Sequence, residues 1–308
     1  MMNDMSSGAK QAGRLRIAVV GVGNIGSAYA FQLVRTGGHE VTTVARPGSP
    51  RLAQLQRDRA IVNTAGERAE VLVGDELDES VPYDLVLVTL LAHQVEMVIP
   101  TLQRCSAKTI QFMFNNFEPE VLQKAIGAER CSFGMPFIQA RLDGDGKLDA
   151  KIGAAGQKSK IDSQKLVQIL NVAGLTATFE PTMLLWLRCH VPMAVAFESV
   201  SVAAVRRGGG ASWKQAMVIA RGAQEGFTLI ERLGYRLYPS GKAVLHAGPT
   251  WLLASILWSL SRIRSFRELL ATGANECCAL IATQVASVSR AEHPVSVEFI
   301  TAMMPAPK

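Results

Sequence analysis

Apolar and polar positions divide the chain into two textures. In the first half, short apolar runs alternate with amphipathic stretches. The runs 17–20, 40–44, 84–89 and 109–114 are short, rich in Val, Ile and Leu, and bounded by polar or glycine clusters. They predict buried strands. Residues 27–35, 92–102 and 119–126 carry helical spacing, and 59–64 and 69–73 read as two short strands about an Ala65-Gly66-Glu67 turn. Strand and turn character fills 130–148. Near Pro181 the alternation stops and helical pattern takes over. It covers 182–205, interrupted by Pro192, then 213–233 between Ser212 as N-cap and Gly234 as stop. A Pro/Gly-punctuated loop, 239–249, follows, and then a helical stretch from 251 to about 289 with Gly273 as its break. Strands alternating with helices predict a doubly wound sheet, so the expected layout is α/β at 14–180 and all-helical at 181–308.

The run 17–20 leads directly into Gly21-x-Gly23-x-x-Gly26 and then a helical segment. In that context Gly21 allows a tight turn, Gly23 lets a pyrophosphate approach the backbone, and Gly26 lets helix and strand pack closely. The helix N-terminus offers N–H groups and a positive dipole end to phosphate. This is a Rossmann-type dinucleotide site. An NAD-preferring site places Asp or Glu at the end of the second strand, for the ribose 2′-hydroxyl. Here that slot holds Ala45 and then Arg46, about 20 residues beyond Gly26. An arginine there pairs with a 2′-phosphate, which favours NADPH, with Ser49 and Arg51 available for added contacts. The alternative for Arg46 is a solvated loop residue. Asn115-Asn116 falls at a strand's carboxyl end, where open α/β sheets bind ligands.

With 308 residues, 48% hydrophobic and 19% charged, the chain has the composition of a soluble globular protein. Its net charge of +6 is dispersed, which argues against a nucleic-acid surface. Cys105, Cys131, Cys189, Cys277 and Cys278 show no zinc-ligand spacing and predict free thiols in a reducing cytoplasm. The first thirteen residues read as a loose tail without the apolar core of a signal peptide. The apolar stretch 251–260 is too short to span a bilayer.

The order of motifs resembles the ketopantoate reductase (2-dehydropantoate 2-reductase) family. The matching residues are the glycine fingerprint, Arg46, the segment Val88-Thr-Leu-Leu-Ala-His-Gln94, and Asn115. In the second half Trp186-Leu-Arg188 stands where the family has Trp-x-Lys, and Gln224-Glu225 to Gly234 resembles its Glu-to-Gly helix. The resemblance implies a cofactor site of Gly21, Gly23, Asn24, Ile25, Gly26, Arg46, Leu90, Gln94 and Asn115, with NADPH reducing a 2-keto group. It also implies a lysine that gives the proton, asparagines one and two turns further on that hold substrate, and a later glutamate for a distal hydroxyl. Those positions read Arg188, Pro192, Ala196 and Leu270, so the resemblance implies a more apolar pocket and a larger carbonyl or imine substrate. The family's Lys after Thr-Leu is Leu91, and its Asn-Gly is Asn115-Asn116.

His190 and Arg188 are the candidate catalytic residues. His190 lies on the helix of the family's catalytic lysine and titrates in the range of a proton donor at neutral pH. Arg188 is a permanent cation able to support an alkoxide. The two lie about 200° apart on a regular helix, so Pro192 must distort it if both are to face one cleft. A structural His190 and an ion-paired Arg188 are the alternatives. Glu198, Ser199, Asn275 and Glu276 are polar groups in apolar surroundings, structural by default, although a charge at Glu198 must be paired or lie in a cleft. His93 is a possible cofactor contact and His246 a possible lid residue. Trp251, Trp258 and Phe266 have the spacing of core or of a homodimer contact. Two functions remain open: an NADPH-dependent carbonyl reductase with a changed substrate, and an NADPH-binding sensor without catalysis.

Overall fold

The structure, a computed structural model, describes residues 13–270 and 273–305. The expected tail, save its last residue, lies outside them. In chain order the first half runs β1 (Arg16–Val20), α1 (Asn24–Arg35), β2 (Glu40–Val44), α2 (Pro50–Asp58), β3 (Ala60–Val62), β4 (Arg68–Glu70), β5 (Leu72–Gly74) and β6 (Leu85–Val88). A 3₁₀ segment (Ala92–Val98) then leads into α3 (Ile99–Arg104), followed by β7 (Ile110–Met113), α4 (Pro119–Ile126), β8 (Cys131–Met135), β9 (Ile138–Leu142) and β10 (Leu148–Ile152). The half closes with β11 (Ser159–Ile161), α5 (Gln164–Val172) and β12 (Ala177–Phe179). Eight strands form one sheet in the order β12-β11-β8-β7-β6-β1-β2-β5. Pairing is parallel except where β11 meets β8. The carboxyl ends of β1, β6, β7 and β8 therefore lie along one edge.

The helical half contains α6 (Met183–Arg206), α7 (Trp213–Arg232), α8 (Ser240–Ala247), α9 (Thr250–Leu260), α10 (Arg264–Leu270), α11 (Ala274–Ser287) and α12 (Val297–Thr301). Three differences from the sequence reading matter. Helix α6 runs through Pro192 as one element of 24 residues. Proline forfeits one backbone bond, but Pro192 sits where a Cβ on Gly226 of α7 would lie 3.1 Å away, so packing holds the helix together. Residues 240–247, expected as loop, form α8. The Gln224 amide secures its end by donating to the carbonyls of Leu245, His246 and Gly248 at 3.2, 3.3 and 2.8 Å. The stretch after 251 is broken after Leu260 as well as at Gly273, giving three helices.

By length and composition α6 is apolar enough to cross a membrane, and 78% of that window is buried inside the protein. It serves as the core helix of both halves. Met183, Trp186 and Leu187 pack with Val88, Phe112 and Phe133 under the sheet. Val191, Val195 and Val200 pack with Phe227, Leu253 and Leu280 among the helices. All five cysteines are free thiols.

Candidate functional site

The glycine turn connects β1 to α1, and each glycine has a separate reason. Gly21 has φ +93°, and a Cβ there would come within 2.7 Å of Leu90 Cδ2. A Cβ on Gly26 would strike the Gly21 carbonyl and lie 2.5 Å from Thr89 Oγ1, which itself donates to that carbonyl at 2.7 Å. Gly23 has no heavy atom within 4 Å of a built Cβ, so its face is open to a ligand. It also caps α1, which has no side-chain cap. An uncapped helix start beside an open glycine fits a pyrophosphate.

Neighbouring groups hold the turn in place. Gly21 N donates to Val44 O at 3.1 Å, which ties the turn to the end of β2. Asn24 Oδ1 accepts from Leu142 N at 3.0 Å, and Ile25 packs against the sheet core. Arg51 donates to Val22 O at 3.1 Å, to Ser27 Oγ at 2.7 Å and to Gly146 O at 3.1 Å. It thus braces the turn against the β9–β10 hairpin. Ser49 caps α2 by accepting from Leu52 N. Both residues, expected as added phosphate contacts, are thus also engaged within the protein. Arg46 is exposed just beyond β2 and beside the turn. Gln94 accepts from Leu91 N at 3.2 Å, which holds the loop after β6, while His93 is exposed.

Across the strand ends lies the helical half. Asn115, beyond β7, is buried, and its Nδ2 donates to Glu276 Oε1 of α11 at 3.3 Å. Glu276 faces Glu198 of α6, whose carboxyl carbon would be 2.8 Å from a Cβ on Gly273. Burial, then the neighbouring Glu276, pushes the Glu198 carboxyl up to about 9, and burial raises Glu276 as well. The sequence reading puts the distal acid at Leu270 and so expects an apolar pocket. A buried acid does stand near these strand ends, because α11 starts afresh after Gly273 with Glu276 on its buried side and Asn275 outside.

Arg188 and His190 leave α6 in different directions. Arg188 is 4% exposed; its Nη2 pairs with Glu120 Oε2 at 2.5 Å and its guanidinium stacks 3.9 Å above the Tyr235 ring. Pro192 and Ala196, on the same side of α6, are buried too. His190 is half-buried and stacks on Trp186, with centroids 4.5 Å apart. Burial, then the nearby Lys242, pushes its imidazole down to about 3. Burial thus favours the neutral ring, which works against the expected part of a proton donor at neutral pH.

Lys242, which the sequence places in a loop, stands on α8 with Nζ 4.8 Å above the Trp186 ring. Burial pushes it down to about 8. Lys160 approaches the same ring at 5.6 Å and pairs with Glu180 at 3.0 Å. Among the described residues, Asn115 Oδ1, Glu198 Oε2, Arg188 Nη1 and Lys242 Nζ are buried without a hydrogen-bond partner. His246 pairs with Glu231 at 3.1 Å and is no lid residue.

Residues 17–158 match the family model for Ketopantoate reductase PanE/ApbA. Over that span, somewhat under half of its length, the chain is similar to the ketopantoate reductase family. No curated protein matched the sequence. Among solved structures, a PanE/ApbA family ketopantoate reductase from Ralstonia eutropha JMP134 is similar at 18% identity and TM-score 0.70, covering 94% of this chain and 96% of that one. The D-mandelate dehydrogenase solved with NADH and anilino(oxo)acetate is 16% identical with TM-score 0.69, covering 94% and 96%. A 2-dehydropantoate 2-reductase from Porphyromonas gingivalis W83 is 14% identical with TM-score 0.64, covering 94% and 98%. At these identities the likeness is one of fold. The ketopantoate reductase fold, an oxidoreductase fold, accounts for the sheet, the glycine turn and the helical half.

Proposed function

We propose that the chain is an NADPH-dependent reductase of a carbonyl compound, a 2-keto acid or ketone, with a pocket that differs from one for ketopantoate. The observation that carries this reading is the arrangement along one sheet edge. The open Gly23 and the uncapped start of α1 lie at the end of β1, and Asn115 meets α11 at the end of β7. A nicotinamide held there supplies a hydride to the substrate carbon. Gly21, Gly23, Asn24, Ile25 and Gly26 form the pyrophosphate turn, Leu90 and Gln94 shape the loop beside it, and Asn115 takes the nicotinamide end. Arg46, exposed and free of acidic neighbours in sequence, supports the 2′-phosphate. Arg188 holds α6 to α4 through Glu120, so its role is to position the helix and keep a positive charge near the strand ends. His190, neutral, contributes an apolar wall with Trp186.

A homodimer through α9 belongs to the same reading, since Trp251 and Leu252 are 57% and 46% exposed there. A second reading, an NADPH-binding protein without turnover, is favoured by one observation: Arg188 is buried and paired with Glu120, and Pro192 and Ala196 on the same side of α6 are buried too. Turnover decides between them. A panel of 2-keto acids, aryl ketones and cyclic imines is offered with NADPH, and loss of reduced-nicotinamide absorbance is followed. Reduction of a carbonyl member supports the first reading. Tight NADPH binding with no oxidation by any member overturns it.

A further inference from the structure

Hydride transfer to a carbonyl leaves an alkoxide that needs a proton. The residues expected to supply it do not. Arg188 is a permanent cation already tied to Glu120, and burial favours the neutral imidazole of His190, which is a weak acid. Asn115 meets the Glu276 carboxyl of α11, and Glu276 in turn lies beside Glu198 of α6.

We infer that Glu198 keeps the proton of the buried Glu198–Glu276 pair and is the residue that donates it to the reduced carbonyl oxygen. The inference rests on the reductase reading and deepens it. Two buried carboxyls side by side cannot both ionise cheaply, so they hold one proton between them. Its location follows from their surroundings. Glu276 lies in the first turn of α11, where the helix dipole favours an anion, and accepts the Asn115 amide. Those contacts stabilise the charged form of Glu276. Glu198 lies inside α6, far from either end, with Oε2 buried and unpartnered. Nothing there stabilises a charge, so Glu198 is the protonated member.

Asn115 Oδ1 is likewise unpartnered. Asn115 and Glu198, each more than nine-tenths buried, thus both carry an unpartnered polar atom and both adjoin Glu276. Among the described residues, the Cys277 thiol of α11 lies close enough to feel both carboxyls, with Cys278 beside it. From α10, Arg267 turns away to the carbonyls of Ser261 and Arg262. Gly273 makes the room, since a side chain there would displace the Glu198 carboxyl.

The step balances. Hydride adds to the carbonyl carbon as the C=O π bond breaks, the O–H bond of Glu198 breaks, and its proton forms the product hydroxyl. The pair is left with both carboxyls ionised and regains one proton from water.

The test uses Glu198→Gln and Glu276→Gln in the full chain, with NADPH and the best carbonyl substrate of the panel. The inference expects kcat to fall about 10²- to 10³-fold in Glu198→Gln, with NADPH affinity retained. Wild-type kcat should fall as pH rises through the raised Glu198 value, and that limb should vanish in Glu198→Gln. In Glu276→Gln the limb should move to lower pH, because the neighbouring charge is gone. An independent readout is the infrared band of a protonated carboxyl at pH 7 in the ligand-free protein. It should be present in wild type and absent in Glu198→Gln. A wild-type band that persists in Glu198→Gln, or a Glu198→Gln enzyme with the wild-type pH profile, overturns the inference and leaves the reductase reading intact. Failure of wild type to turn over any carbonyl overturns that reading and the donor role with it, while the infrared band still reports whether the proton is shared.

Discussion

The glycine turn and the acid pair face each other across one sheet edge and are built on opposite terms. In the turn, Thr89, Asn24 and Arg51 have their partners within the protein, and what stays open is the uncapped start of α1 and the ligand side of Gly23. At the acid pair, carboxyl and amide oxygens are buried without partners. A site satisfied before its ligand arrives binds one shape with little reorganisation. A site with unmet hydrogen-bonding capacity is held by the surrounding fold and gains those partners only with a substrate. The difference separates what the protein binds from what it does.

The largest effect expected on the satisfied side is Gly26→Val. The added carbons collide with the Gly21 carbonyl and Thr89 Oγ1, an overpacking that costs about 1–3 kcal/mol and moves the turn. Calorimetric titration should find NADPH binding abolished and the melting temperature lowered. Unchanged binding would mean that the turn is as adaptable as the acid side, and the contrast would collapse. Next comes Arg46→Ala. Removing a charge-assisted contact should weaken NADPH by about 1.5–3 kcal/mol and leave NADH nearly unchanged. Equal losses would refute the 2′-phosphate role.

Acidity separates the two sides further. His190 has its value lowered by the fold, so its share of stability is present above the ordinary histidine value and lost as pH falls from there towards 3. The carboxyl of Glu198 is raised, so its share is present at acid pH and lost as pH rises from the ordinary carboxylate range towards 9. Melting curves should therefore show His190→Phe less sensitive to acid than wild type, and Glu198→Gln less sensitive to base. The smallest expected effect lies away from both sites. Trp251→Lys should change protomer stability by no more than about 0.5 kcal/mol, as exposed substitutions do. Ultracentrifugation should show it weakening the dimer. A dimer unaffected by it would exclude α9 as the contact.

The satisfied side is legible in the sequence and most of the other is hidden, for a physical reason. The fingerprint is contiguous, and its strand, turn and helix are each coded locally, so Gly21 to Gly26 are placed by their own spacing. Asn115 is legible by position at a strand end. Glu198 stands out as a charge among apolar neighbours, but its partner does not. The pair joins residues from α6 and α11, and the choice of Glu276 over position 270 depends on where α11 begins after Gly273. Lys242 escapes notice because Pro239, Gly241, Gly248 and Pro249 punctuate its segment as they would a loop. Only the tertiary tether from Gln224 makes α8 a helix. Arg51 reads as a ligand contact because bracing a hairpin more than ninety residues away leaves no local trace.

Helix α6 has a mechanical consequence. Its first turns are seated under the sheet and its middle among the helices, without a break at Pro192. A rod clamped in two cores cannot serve as a flexible joint, because bending it would unpack Trp186 from one side or Val195 from the other. The two halves therefore share one continuous element, and any swing of one against the other would unpack a core. Access to the strand ends is left to side chains and loops at the rim of the cleft.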